Sequence, residues 1–155
     1  MPTRPNAISL DPHLQRTAAV DLFNYTWTLL EKPDRSARDN DLMIDAAHAS
    51  RFLWEGIGEP VNHARGEWQI SRVYAVVERS EPALYHAGRC LEICEEHDIG
   101  DFDLAYAYEA LARAHTVAGD GEAAARYLER AREAGENIAD KEDREHFMDD
   151  VDELG

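Results

Sequence analysis

Arginine and tryptophan side chains recur at helical spacing in the middle of the chain. Arg65, Trp68 and Arg72 are three and then four residues apart, which places them on one face of a helix. A guanidinium group binds carboxylates and phosphates through paired hydrogen bonds, and indole rings pack against cations and apolar groups. This face therefore predicts a binding site for a carboxylate, a phosphate or an acidic peptide.

A second polar stripe lies upstream, where His48, Arg51 and Trp54 step by three residues. If the two faces meet, guanidinium groups and indole rings converge in an otherwise acidic protein. The alternative is that the arginines support the fold by pairing with neighbouring carboxylates. The acidic partners for that alternative are Glu55, Glu67 and Asp45. Both interpretations fit the sequence.

Two histidines and the only two cysteines form a third stripe, made of His86, Cys90, Cys94 and His97. On a helix the outer two ligands would lie about 16 Å apart, too far to share one zinc ion. A disulfide within the helix is also unfavourable, because Cβ atoms four residues apart are roughly 6 Å from each other. We therefore predict buried, reduced cysteines and no metal ion.

Catalytic motifs are weak throughout the chain. Asp45 with His48, and His63 with Glu67, are carboxylate–imidazole pairs, but the Glu-x-x-His motif of di-iron bundles is missing. Phosphate-binding loops, His-Glu-x-x-His and Gly-x-Ser-x-Gly are missing as well. No catalytic residue and no cofactor is predicted, and a non-enzymatic role is favoured. The alternative is a small enzyme or ligand sensor, with or without a metal, whose pocket lies between the second and third helices.

Helical periodicity must position all these residues, since no segment alternates like a strand. Helix starts and stops are marked by proline, glycine and capping residues. These signals predict a first helix from Pro12 to Pro33, a charged linker Pro33–Asn40, and five further helices at Asp41–Glu55, Val61–Arg79, Ser80–His97, Asp103–Ala118 and Glu122–Ile138. The ends, 1–10 and 140–155, are assigned as frayed or disordered, with a last helix as the alternative for the acidic tail.

Composition limits the class of protein. A chain of 155 residues is expected to form a single domain. A net charge of −16 disfavours binding to nucleic acid and to anionic membranes. Neither a signal peptide nor a run of 18 apolar residues occurs. Together with two unpaired cysteines, these features predict a cytoplasmic protein.

Two segments, from about Glu67 to Glu95 and from about Tyr108 to Glu136, look like one helical hairpin written twice. They align at an offset of 41 residues. The aligned pairs are Ile70 with Leu111, Ser71 with Ala112, Tyr74 with His115, Ala83 with Ala124, and Cys90 with Ala131. An internal repeat of this length is typical of stacked helical hairpins.

These hairpins resemble tetratricopeptide repeats, and the resemblance covers residues 61–138. In the later hairpin the family positions for Trp, Leu, Gly, Tyr, Ala, Phe and Ala hold Tyr108, Leu111, Ala112, His115, Ala124, Leu128 and Ala131. Two features depart from the family: the offset exceeds the usual length of about 34 residues, and Glu95 and Glu136 replace the closing proline. The resemblance implies an all-α fold of antiparallel helical hairpins stacked as a short right-handed array. A plain helical bundle is the alternative.

The resemblance also implies a function in binding. The groove of such arrays is lined by the first helix of each hairpin, here Val61–Arg79 and Asp103–Ala118. A protein or peptide partner is expected, or else a small anionic ligand, and a short array could also dimerise to cover its open end. The predicted ligand-binding residues are Arg51, Arg65, Trp68, Arg72, Tyr108, Arg113, His48 and Trp54.

Overall fold

Seven α-helices follow one another in the computed structural model, which describes residues 8–155. They are α1 (Pro12–Leu30), α2 (Ala37–Leu53), α3 (Pro60–Val76), α4 (Ser80–Glu96), α5 (Asp101–Val117), α6 (Gly121–Glu136) and α7 (Lys141–Leu154). This part of the chain contains no strand. None of its helices is both long enough and apolar enough to cross a lipid bilayer.

The helices pack as successive pairs. α1 packs on α2, α3 on α4, and α5 on α6, while α2 and α4 each contact the first helix of the next pair. The first helices also lie side by side, since α3 contacts both α1 and α5. The predicted all-α fold of stacked helical hairpins is confirmed.

Helix bounds follow the offset seen in the sequence. Helices α3 and α5 begin at residues 60 and 101, and α4 and α6 begin at residues 80 and 121, so that 41 residues separate each pair. Small side chains at matched positions are buried, including Ser71 with Ala112 and Cys90 with Ala131. The Ser71 hydroxyl donates to the carbonyl of Ala83 at 2.8 Å. These small residues let the paired helices approach closely.

Helix α2 begins at Ala37, earlier than the predicted start at Asp41. The linker prediction was wrong because it overlooked a capping box: the amide of Asp39 donates to the Ser36 hydroxyl at 3.1 Å, and the amide of Ser36 donates to the Asp39 carboxylate at 2.9 Å. Lys32 donates to the same carboxylate at 2.7 Å. The hydrogen bonds from Lys32 and Ser36 lower the pKa of Asp39 to about 2.

The acidic tail forms helix α7, capped by Asp140, whose carboxylate accepts from the amide of Asp143 at 2.9 Å. Phe147 and Val151 are fully buried against α5 and α6. Helix α7 thus covers the apolar face that the last hairpin would otherwise expose. The assignment of a frayed N-terminus falls mainly on residues 1–7, which lie outside the described residues.

Close packing of α6 against α7 leads to the first prediction. A Cβ atom on Gly135 would lie 2.6 Å from two ring carbons of Phe147, whereas one on Gly88, inside α4, would meet open space. We expect Gly135→Ala to lower the free energy of unfolding by about 1–3 kcal/mol through overpacking. Gly88→Ala should raise it by about 0.5–1 kcal/mol through helix propensity. Urea denaturation followed by circular dichroism measures both, and stabilisation by both variants would contradict the packing described.

Candidate functional site

The first helices of the hairpins and α7 together enclose a groove of about 680 Å³. Most of the side chains that line it come from α1, α3, α5 and α7, and Glu31 just after α1 and Cys90 of α4 complete the lining. The volume lies within the range of about 300–1,000 Å³ that is usual for ligand sites. The sequence predicted a groove on α3 and α5, and the structure adds α1 and α7 to its walls.

Five aromatic side chains form the floor of the groove: Phe23 and Trp27 from α1, Trp68 from α3, and Phe102 and Tyr106 from α5. Four of these rings, those of Trp27, Trp68, Tyr106 and Phe102, contact one another in a row across the three helices. The ring centroids are 5.6 Å apart for Trp27 and Trp68, 5.5 Å for Trp68 and Tyr106, and 4.7 Å for Tyr106 and Phe102. All except Tyr106 are only half buried. The groove therefore offers an apolar surface that stays open to solvent.

Glu109 lies beneath this floor and is fully buried. Its carboxylate accepts hydrogen bonds from Arg113 Nε at 2.8 Å and from Trp68 Nε1 at 3.3 Å, and Arg113 Nη2 lies 2.7 Å away. A buried carboxylate requires such donors, because desolvating an unpaired charge is costly. The bond from the indole N–H fixes the orientation of Trp68 in the groove.

Arg72 lines the groove beside Trp68, but it is not tightly paired. Its Nη1 atom is 3.8 Å from Glu109 Oε1, and among residues 8–155 its guanidinium group makes no hydrogen bond. Burial and the nearby charge of Arg113 lower the pKa of Arg72. The side chain is one-quarter exposed. Its N–H groups are therefore free to donate to a bound molecule.

Arg65, by contrast, is paired with a carboxylate on the neighbouring helix α5. Its Nε and Nη2 atoms donate to the two carboxylate oxygens of Asp103 at 2.8 and 3.1 Å. This paired hydrogen bond raises the pKa of Arg65 and ties α3 to α5.

Helix α7 forms one wall of the groove, and Tyr106 on α5 links it to the rest of the site. Its hydroxyl donates to Asp150 at 2.5 Å. Burial and the bond to Asp150 raise the pKa of Tyr106, so the phenol remains protonated. His146 Nε2 lies 3.6 Å from the same carboxylate, at the exposed edge of the groove.

A second polar cluster lies between α2, α3 and α4. Buried Glu67 is 2.6 Å from His86 Nδ1 and accepts from Arg51 Nε at 3.2 Å. Burial raises the pKa of Glu67, but His86 and Arg51 outweigh this effect and lower it overall. His48 Nε2 lies 2.8 Å from the hydroxyl of Tyr74, and the rings of His48 and His86 are 5.4 Å apart. Burial and the nearness of His86 lower the pKa of His48.

The structure divides the predicted binding residues between several places. Arg65, Trp68 and Arg72 line the groove. His48 and Arg51 do not line it and belong to the Glu67 cluster, where Arg51 also donates to Glu55 at 2.8 Å. The two sequence stripes therefore do not form one pocket. The expected pairing of arginine with carboxylate occurs for Arg51, but Arg65 uses Asp103, which the sequence did not suggest.

The remaining predicted residues lie outside the groove. Trp54 is buried at the end of α2, with the guanidinium carbon of Arg16 at 5.2 Å from its ring centroid. Tyr108 lines a smaller depression with Arg130 on the α5–α6 hairpin. Arg113 is committed to Glu109.

Sequence reasoning missed the aromatic residues of α1 and α5. Phe23 with Trp27, and Phe102 with Tyr106, are pairs four residues apart on first helices of hairpins. That spacing could have marked them as parts of one helix face. The contribution of α7 had no comparable signal, because it depends on how a distant helix packs.

The cysteine–histidine stripe is dispersed. Cys90 and Cys94 are buried and unpaired in a disulfide, as predicted, and Cys90 contacts the groove. A hydrogen bond to Cys94 together with burial raises the pKa of Cys90, which makes its thiol a poor nucleophile. His86 faces Glu67 instead. Within residues 8–155, no group of three or more His, Cys, Asp or Glu side chains is arranged to hold a metal ion.

A scan against protein-family models, a search of the curated proteins and a search of the solved structures each found no match to this chain.

The buried carboxylate of Glu109 leads to a prediction that the two neighbouring arginines, Arg113 and Arg72, contribute unequally to stability. Arg113→Gln removes the guanidinium that hydrogen-bonds to Glu109, so we expect it to lower the free energy of unfolding by about 1–3 kcal/mol. Arg72→Gln removes only a group 3.8 Å away and should cost less than about 1 kcal/mol. Urea denaturation of the two variants tests this difference. A larger loss for Arg72→Gln would contradict it.

The lowered pKa of His48 predicts a pH dependence of stability. Unfolded His48 regains its ordinary pKa near 6.5, so the unfolded state binds more protons than the folded state as the pH falls through that value. Stability should therefore decrease from pH 7.5 to pH 5.5, by less than about 1.4 kcal/mol per pH unit. His48→Gln should flatten this dependence, while His97→Gln, at an exposed site, should leave it unchanged. Thermal melts across this range would show whether the slopes differ.

Proposed function

We propose that this chain is a non-enzymatic, cytoplasmic binding protein of tetratricopeptide-like architecture whose groove holds an extended segment of a partner protein. The observation that carries the proposal is the open aromatic floor of the groove. Aromatic and arginine side chains contribute much of the energy at protein interfaces. A groove of about 680 Å³ is large enough for a few residues of a peptide.

The helical repeat supports the proposal. Hairpins α3–α4 and α5–α6 have matching bounds at an offset of 41 residues, and the groove lies on their first helices. Binding along the first helices is the arrangement that the tetratricopeptide resemblance implies. Groove residues are also rigidly held, since Trp68, Arg65 and Tyr106 each hydrogen-bond to a carboxylate on another helix.

An enzymatic role has less support. Cys90 is the only nucleophilic thiol or aliphatic hydroxyl side chain among the described residues that line the groove, and its raised pKa disfavours the thiolate. The Glu67–His86 pair resembles an acid–base dyad, but it does not border the groove. Binding therefore explains more of the geometry than catalysis does.

A small anionic ligand is the second candidate, and Arg72 is the residue that would bind it, against the repulsion of Glu109 and Asp150. The guanidinium group of Arg72 and the ring of Trp68 both line the groove, so an aromatic carboxylate is the small anion that could use both. Benzoate titrated into ¹⁵N-labelled protein should then shift the indole signal of Trp68, and Arg72→Gln should abolish the shift.

Selection from a phage-displayed library of random nonapeptides tests the main proposal. Trp27→Ala and Arg72→Gln should each weaken the selected peptides about tenfold or more, as expected for a central contact worth about 1.4 kcal/mol. Tyr85→Ala is the matched control, because Tyr85 is 60% exposed and does not line the groove; it should change affinity less than twofold.

Two results would overturn the proposal: no peptide is enriched, or the enriched peptides bind Trp27→Ala as tightly as the unchanged protein. Circular dichroism shows whether each variant keeps its fold. In a Trp54→Phe background, the remaining tryptophan emission comes from Trp27 and Trp68, both in the groove, and reports its occupancy directly.

A further inference from the structure

We infer that the segment bound in the groove is basic: an apolar or aromatic side chain with lysine or arginine close to it. This inference rests on the proposed peptide-binding function and names the chemistry of the peptide. It differs from the expectation raised by the arginine-rich sequence, which favours an acidic ligand. The charges that line the groove and their partners decide between the two.

Positive charge in the groove is already balanced by the protein. Arg65 is held by both oxygens of Asp103. Arg72 lies 3.8 Å from Glu109, and the charge of Asp150 also acts on it. An acidic ligand at Arg72 would therefore meet the repulsion of two carboxylates. The free N–H groups of Arg72 suit a neutral acceptor instead, and every extended peptide supplies one in its backbone carbonyls.

Negative charge is in excess. Four carboxylates line the groove against two guanidinium groups, namely Glu31, Asp103, Asp143 and Asp150 against Arg65 and Arg72. Glu31 and Asp143 are exposed, and within residues 8–155 neither forms an ion pair. The chain as a whole carries a net charge of −16, so the wider field also attracts cations and repels anions.

The aromatic floor supports the same conclusion. The exposed carboxylates Glu31 and Asp143 border a groove floored by half-buried Trp27 and Trp68. An indole face attracts lysine and arginine through cation–π interaction, and it also packs against apolar side chains. A peptide segment matches both features if one apolar side chain packs on the aromatic floor and flanking lysine or arginine side chains face Glu31 and Asp143.

The nonapeptide selection described above, repeated at about 0.1 M salt, tests this inference. Enriched sequences should have a net positive charge and at least one aromatic or large aliphatic residue, and higher salt should weaken their binding. Enrichment of acidic sequences would overturn the inference while leaving the proposed peptide-binding function intact. Failure to enrich any sequence would instead overturn the proposed function.

Because the whole chain is acidic, charge-matched variants must show that the groove is responsible. Glu31→Lys with Asp143→Lys should weaken the selected peptides at least tenfold. The control is Glu136→Lys with Glu142→Lys, which changes the net charge equally at exposed positions outside the groove and at the same kinds of helix end. It should weaken them less than threefold. Equal loss in both double variants would contradict specific recognition of basic peptides by the groove.

Discussion

Glu109 has no exposed surface, and it lies where α3 and α5 face each other. A carboxylate in this position must be ionised with partners or neutralised, and this one is surrounded by donors. Arg113, on the same helix as Glu109, donates from its charged guanidinium group, and Trp68 donates its indole N–H from α3. The position of one groove-floor ring, and the uncommitted state of Arg72, both depend on this single buried charge.

The internal repeat brings matched positions of two similar hairpins together at this site. Trp68 and Glu109 occupy equivalent positions 41 residues apart, and so do Arg72 and Arg113. The equivalent residues are not used alike, since Arg113 serves the buried carboxylate while Arg72 faces the groove. Equivalent positions in the two hairpins therefore provide a buried ion pair in one case and a donor that faces the groove in the other.

Much of the fold was predictable because helix ends and small residues are local signals. Pro12, Ser80 and Gly100 mark boundaries in the sequence, and the structure places helix ends at or beside them. The start of α2 was missed because its capping box involves an aspartate where glutamate is usual. The docking of α7 also required long-range packing of Phe147, which no local pattern reveals.

The candidate site was predictable only in part, for the same reason. Helical spacing alone put Arg65, Trp68 and Arg72 on one face. Their partners could not be predicted, because Asp103 is 38 residues from Arg65 and Glu109 is 41 residues from Trp68. By themselves the arginines predict a site for anions. The carboxylates of Asp103 and Glu109 balance their positive charge, and the groove as a whole has an excess of negative charge.

Exposed aromatic surface usually tends to turn inward, since burying it is favourable. Here the polar atoms at the ring edges oppose that movement: the indole N–H of Trp68 is bound to Glu109, and the hydroxyl of Tyr106 is bound to Asp150. Turning Trp68 would leave Glu109 with Arg113 as its remaining donor, and turning Tyr106 would take the hydroxyl donor away from half-buried Asp150. Each lost hydrogen bond to a charged group costs on the order of 1.5–3 kcal/mol. These two hydrogen bonds therefore hold Trp68 and Tyr106 in place at the floor of the groove, and the half-buried ring of Trp68 stays open to solvent.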